Sequence, residues 1–244
     1  MTIELDADVR PAATVLLLRD AGAGIETWLL RRVTGMAFAG GMSVFPGGQV
    51  DPSDAHPDMP WSGPSPAPPL RAVTVAAVRE TFEETGVLLS RPAASGAVLA
   101  RRAEVEARTV EFAALLREAD LGIDAALVRP WARWITPVGE PRRYDTWFFV
   151  AALPADGGAA AVSTEAAEAG WITPGRAVEE HRAGIRGMLP PTLVALQEMA
   201  GFSTVSAVLA AAGNRDLGPV QPVLEPESGR VRLPDGRVLS VLRP

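Results

Sequence analysis

The chain has 244 residues, 48% of them hydrophobic, and a formal net charge of −6 from 23 basic and 29 acidic residues. It can bury a real core as one large domain or two small ones, and its negative charge argues against non-specific nucleic-acid binding. No apolar run reaches the roughly 18 residues of a membrane span, MTIELDADVR lacks the apolar centre of a secretory signal, and the lack of cysteine excludes disulfides and thiolate metal sites. These features predict a cytoplasmic protein with no membrane and no nucleic-acid partner. Its two histidines, His56 in a proline-rich stretch and His181 in a helix expected to be exposed, do not form a metal cluster.

In chain order, residues 11–19 (PAATVLLLR) and 25–33 (IETWLLRRV) are of strand length and flank a DAGAG turn, which predicts a hairpin. Arg31 and Arg32 near its end are either surface charge or phosphate contacts, since Arg bonds phosphate bidentately. Residues 36–44 (MAFAGGMSV) lead into FPGGQVDPSD, where Gly47 and Gly48 permit a sharp turn. Residues 55–70, rich in proline, form an extended or loop segment.

Residues 71–87 with the preceding Leu70 read as one amphipathic helix, with Val75, Val78 and Phe82 on its buried stripe. Glu80, Glu83 and Glu84 fall on neighbouring turns of one side, and Gly86 stops the helix. Like charges so placed cost about 0.2–0.5 kcal/mol per pair. Two readings stay open from the helix alone. One is a solvated face, with Arg79 offsetting Glu83. The other is a seat for a hard divalent cation, which takes carboxylate oxygens beside substrate phosphates.

Residues 100–119 predict a further helix with Phe112, Leu115 and Leu116 inward, and with Arg101, Arg102 and Arg108 among solvated salt-bridging residues. Residues 131–135 and 146–150 are bulky paired strands. The connection between them carries Arg142, Arg143 and Tyr144, a turn with exposed arginines or a grip on phosphate with a stacking ring. A Gly/Ala turn, a strand and a helix follow. Glu165 and Glu168 lie just after the core strands, where simple exposure near a helix start is the plain alternative. Two apolar helices within residues 188–213 and a hairpin turning at Pro234-Asp235-Gly236 close the chain. With no long linker or repeat, residues 1–244 are expected to form one domain, with an insert at about 55–70 and a C-terminal elaboration at about 188–244.

Gly48 and the run Arg79-Glu80-Thr81-Phe82-Glu83-Glu84-Thr85-Gly86-Val87 resemble the box of the Nudix hydrolases: G, five residues, E, seven residues, then R-E-U-x-E-E-x-G-U, with U bulky and aliphatic. This sequence departs from it at Asp54, where the box has its first Glu, and at Thr81, where an aliphatic residue is usual. Between Asp54 and Arg79 lie 24 residues where the box has seven. That interruption, with WITP and PRRYDT downstream, resembles the branch that includes the peroxisomal coenzyme A diphosphatase.

The resemblance implies an α/β/α sandwich around a mixed sheet. It implies metal-dependent hydrolysis of a nucleoside diphosphate linked to another moiety, with Mg²⁺ or Mn²⁺ held by Glu80, Glu83, Glu84 and the main-chain carbonyl of Gly47. Arg79 would orient a glutamate. Glu168 or Glu165 would be the additional downstream glutamate that ligates metal or acts as base. Coenzyme A or its acyl esters are the substrates the branch suggests. An ADP-ribose or nucleotide-sugar pyrophosphatase and a non-catalytic nucleotide-binding module are the alternatives. Many relatives are homodimers, and the apolar C-terminal helices are a candidate interface. Trp61 is a candidate lid or interface residue.

Overall fold

The structure is a computed structural model that describes residues 9–22, 24–33, 35, 39–155, 159, 166–225, 227–228 and 230–240. It opens with β1 (Val9–Ala21) and β2 (Gly24–Arg32), the predicted hairpin, then β3 (Ser43–Val44), β4 (Gly47–Gln49) and a 3₁₀ turn, Pro52–Ala55. After α1 (Leu70–Thr85) come β5 (Ser90–Arg91), α2 (Gly96–Leu99), α3 (Arg102–Glu106), α4 (Phe112–Glu118) and β6 (Gly122–Ile123). The long strands β7 (Val128–Ile135) and β8 (Arg143–Ala152) follow, then β9 (Ala166–Ile172), α5 (Pro174–Arg182), α6 (Pro190–Met199) and α7 (Val205–Ala212). A small meander of β10 (Val223–Glu225), β11 (Arg230–Arg232) and β12 (Val238–Ser240) closes the chain, with Gly236 in the predicted turn.

The main sheet runs β3-β2-β1-β8-β7, with β4 also against β1 and β9 against the other edge of β2. The β1–β8 pair is parallel and the other pairs of this sheet are antiparallel. Strand alternation gives the sheet two apolar faces. Ala13, Val15 and Leu17 of β1 pack with Val75, Val78 and Phe82 of α1 and with Leu115 and Leu116 of α4. Leu16 and Leu18 pack with α5, α6 and α7. The expected α/β/α sandwich follows, because β1 is buried on both sides and each face needs a helical cover. Leu193, Leu196, Met199, Val205 and Val208 all enter this second layer. The apolar side of the C-terminal helices therefore covers the sheet rather than standing free for a partner.

Two expectations need correction. The single helix over residues 100–119 is broken, because Arg108 takes a left-handed φ of 56° and the N–H groups of Thr109 and Val110 turn back onto the Glu104 carbonyl. His181 is buried at 5% exposure, its Nδ1 2.9 Å from the Arg186 carbonyl oxygen. Trp61, the candidate lid or interface residue, is tied into the fold. It forms a parallel bridge to Ile123 and packs against the core, while Ser62 N–H donates to the Ile123 carbonyl at 2.8 Å. Gly122 makes room for that crossing, since a Cβ there would lie 2.6 Å from the Trp61 carbonyl carbon. The proline-rich insert is thus fastened at its middle to β6.

Candidate active site

The site is built from two stretches on either side of the insert, β4 with the turn after it and helix α1. Gly47 and Gly48 pair with Thr14 and Ala13 of β1. A Cβ on Gly47 would lie 2.3 Å from the Ala13 carbonyl oxygen, and one on Gly48 2.5 Å from the Glu80 carboxylate. Only glycine lets the backbone approach this closely. The Gly47 N–H donates to Glu84 Oε2 at 2.9 Å, which ties the far end of α1 to the strand.

Helix α1 stops at Gly86, whose left-handed φ of 73° lets its N–H cap the Phe82 carbonyl. Thr81, the departure from an aliphatic residue, is fully buried, and its hydroxyl donates to the Ala77 carbonyl at 2.7 Å. A buried hydroxyl so bonded costs little where a bare one would not.

Arg79 organises the carboxylates. Its Nε and Nη2 hold Asp54 bidentately at 2.8 and 2.9 Å, its Nη1 reaches Glu80 at 2.7 Å and Glu83 at 3.2 Å, and its Nη2 also donates to the Gln49 carbonyl at 3.1 Å. A guanidinium has five N–H donors, so all are engaged. Arg79 is 6% exposed and Asp54 1%. Asp54 also accepts the Asp51 N–H, completing a capping box around the 3₁₀ turn. The residue in place of the first box Glu therefore locks the loop to Arg79.

Burial dominates the electrostatics. It pushes the Glu80 carboxyl up to about 7; the pull of Arg79 opposes this and the charge of Glu83 adds to it. Glu83 is raised too, by burial first and against the attraction of Arg79. For Arg79 burial disfavours the charge, but Asp54, Glu80 and Glu83 together hold the guanidinium protonated. The cluster is a partly buried group of carboxylates with less positive charge around it than it can accept.

Among the described residues, no three His, Cys, Asp or Glu side chains stand gathered as a ready-made ion cage. Glu80 and Glu83 turn to Arg79, and Glu84 turns to the Gly47 N–H. The donor set still fits a hard divalent cation by its chemistry: it is all oxygen, lies on adjacent helical turns and carries uncompensated negative charge. Closing on an ion requires the glutamates to rotate away from these present partners.

The other predicted residues divide between the two faces of the sheet. Arg31 and Glu168 are register partners across β2 and β9, and alternation sets Arg31 with Ile25 and Leu29 on the α5–α7 face. There they line a polar cavity of about 410 Å³ with Ser43, Arg176, Glu180 and Arg186. Strand alternation thus sets Arg31, expected as surface charge or a phosphate contact, and Glu168, expected as the downstream glutamate, on the sheet face away from α1. Arg32, one residue on, alternates with Trp28 and Leu30 of the α1 face, at the point where the pairing with β9 shifts register. Tyr144 alternates with Phe148 and Val150 toward α5–α7, whereas Arg143 shares the α1 face and donates to the Thr136 carbonyl at 3.2 Å. The expected trio is thus split, with Arg142 exposed just before β8. Glu165 lies outside the described residues.

Sequence reasoning passed over two arginines that stand beside the α1 carboxylates, Arg102 and Arg108. Arg102 Nη1 donates to the Glu83 carbonyl at 2.6 Å, and Arg108 pairs with Asp51. Their signal was an Arg-rich stretch soon after the acidic helix, indistinguishable by composition from a solvated surface.

A mixed sheet between helical layers, with a glycine strand set against a glutamate-bearing helix, defines the Nudix architecture. A crystal structure of a NUDIX hydrolase from Alicyclobacillus acidocaldarius has a similar fold, with a TM-score of 0.70 and 26% identity, covering 83% of this chain and 96% of that one. The chain belongs to the Nudix family: the NUDT19 Nudix domain model matches residues 62–199. That match includes α1 and begins within the insert, after the glycine strand. Putative nudix hydrolase 7 of Caenorhabditis elegans is 30% identical over 176 residues, 70% of this chain and 54% of that protein. Acyl-coenzyme A diphosphatase NUDT19 of Homo sapiens is 28% identical over 234 residues, 75% of this chain and 62% of that protein. The chain thus spans between about half and three fifths of these curated relatives' lengths.

Proposed function

We propose that the chain is a Nudix pyrophosphohydrolase that cleaves a nucleoside diphosphate linked to another moiety by attack of water on the diphosphate. Coenzyme A or an acyl-CoA is the proposed substrate, cut to 3′,5′-ADP and a phosphopantetheine product. The observation that carries the reading is the Arg79-centred cluster, in which Glu80 and Glu83 are held by one buried guanidinium while Glu84 grips the Gly47 N–H. The family and the acyl-coenzyme A diphosphatase name of one relative support the substrate class.

Glu80, Glu83 and Glu84, with the Gly47 carbonyl, would hold Mg²⁺ or Mn²⁺, which when bound neutralises phosphoryl oxygens and lowers the pKa of water. Arg79 keeps Glu80 and Glu83 on one side of α1, and its bond to Asp54 keeps the glycine strand in place. Arg32 and Arg143, which share the face of α1, are the proposed phosphate contacts among the residues expected from sequence. Glu168, on the far face, has no part in the proposal. Residues 1–244 are proposed to act as one domain, since β1–β4 and β7–β9 share a sheet that α5–α7 cover.

The test is a panel of coenzyme A, acyl-CoA, ADP-ribose, NADH and dinucleoside polyphosphates with Mg²⁺ or Mn²⁺, products being identified by mass. Glu83→Gln and Glu84→Gln are each expected to lower kcat by orders of magnitude in a folded protein. Near-normal turnover in both rejects the glutamate assignment. Cleavage of ADP-ribose alone rejects the coenzyme A reading, and nucleotide binding without cleavage makes the chain a binding module.

A further inference from the structure

The turn between α3 and α4 places a cation at this site that the chemistry above does not use. Arg108 has a left-handed φ of 56°, a conformation uncommon for a residue with a side chain. The turn is held by Arg108 N–H on the Val105 carbonyl and Thr109 N–H on the Glu104 carbonyl, each at 2.9 Å. Nearby, Arg102 Nη1 bonds the Glu83 carbonyl and fixes α3 against the C-terminal half of α1. Arg108 is thereby carried out over the box, where its Nη1 pairs with Asp51 and its charge acts on Glu83.

The side chain of Arg108 is 75% exposed. Asp51 is its one hydrogen-bond partner among the described residues, so most of its donors face solvent. The neighbouring arginines are committed differently. Arg79 has every donor engaged, and Arg102 is divided between the Glu83 carbonyl and Glu106. Asp51 has a second engagement of its own, since it caps the 3₁₀ turn through the Ser53 N–H and hydroxyl. Losing Arg108 would not release it. An exposed ion pair of this kind contributes little to stability, so bracing is a weak reason to hold an arginine in a left-handed turn.

We infer that Arg108 binds a phosphate oxygen of the diphosphate substrate, sharing or exchanging its Asp51 contact for it, and so sets affinity for the anion. A planar guanidinium with free donors suits bidentate phosphate recognition, and beside five carboxylates it would also offset the repulsion an incoming diphosphate meets. This rests on the diphosphate reading of the site.

The test uses the whole chain with Mg²⁺ present and two readouts, the Kd for ADP by titration calorimetry and the KM for whichever substrate is cleaved. Arg108→Ala is expected to weaken ADP binding and raise KM by about tenfold each, the scale of a lost hydrogen bond to a charged group, with kcat within about twofold. Arg108→Lys keeps the charge without the fork and is expected to recover part of both. Asp51→Asn keeps a good cap and breaks the ion pair, so it is expected to leave both near wild type. If Arg108→Ala leaves Kd and KM unchanged, or Asp51→Asn reproduces its effect, the inference is overturned. Binding of ADP that depends on Arg108 without any turnover refutes the hydrolase reading and keeps the contact. A wild-type chain that does not bind ADP overturns the contact itself.

Discussion

Two adjacent glycines in β4 predict opposite phenotypes. At Gly48 the backbone is not in the left-handed region, so alanine is locally unstrained, and the atoms its Cβ would meet are the Glu80 carboxylate carbon and oxygens at 2.5–2.7 Å. Carbon contacts relax at about 3.5 Å, so the carboxylate must retreat by about 1 Å. It is the far end of a flexible side chain and can do so. Gly48→Ala is therefore expected to keep its stability within about 1 kcal/mol, helped by a stiffer unfolded chain. It should lose about 100-fold in kcat/KM, the usual consequence of a 1 Å misplacement at a reacting centre. At Gly47 the obstacle is backbone: the Ala13 carbonyl oxygen at 2.3 Å and Thr14 Cα at 2.6 Å, both in the central strand β1. Gly47→Ala is expected to cost at least the roughly 1–3 kcal/mol of overpacking a core. Urea denaturation and steady-state hydrolysis with Mg²⁺ separate the two. Wild-type turnover in Gly48→Ala, or equal destabilisation by both changes, would refute the reasoning.

Asp54→Ala is expected to lose about 3–5 kcal/mol, because it leaves a buried guanidinium without its bidentate partner; a urea midpoint shift measures this. Asp54→Glu, which restores the acid usual in the family's box, is expected to destabilise by about 1–3 kcal/mol rather than improve turnover, since the site is 1% exposed and already filled. On the far face, burial pushes the Glu180 carboxyl up, but bonds from Arg186 and Arg176 outweigh it and hold the group below its ordinary value. A lowered folded pKa gives stability that is present above the unfolded value of about 4.3 and is lost as pH falls toward the folded one. Glu180→Gln should accordingly flatten the decline in Tm below about pH 4; an unchanged acid limb would show that the pair contributes nothing.

The parts of the fold legible in the sequence were those written in local periodicity. The stripe of Val75, Val78 and Phe82, the Gly86 stop and the bulky runs of β7 and β8 each sit within one element. Arg79 and Asp54 are 25 positions apart, and nothing in the intervening prolines announces that they meet. The faces of Arg31 and Arg32 were hidden for a different reason. Strand β2 is buried on both sides from Thr27 to Leu30, so no polar alternation marks which residue turns toward α1. The break at Arg108 rests on a single left-handed residue in a stretch that otherwise has good helical composition, and the insert's attachment to β6 depends on Gly122, far along the chain.

That attachment has a practical side. Residues 63–65 of the insert are exposed, while Met59 is buried and Trp61 leans on the core. On one side of this exposed stretch lies Asp54, and on the other Arg79; their bidentate bond and the bridge at Ile123 hold the flanking pieces together without the peptide link between them. A protease that nicks the exposed stretch would leave two fragments clasped as one body, which makes this bend a natural position for dividing the gene into complementing halves.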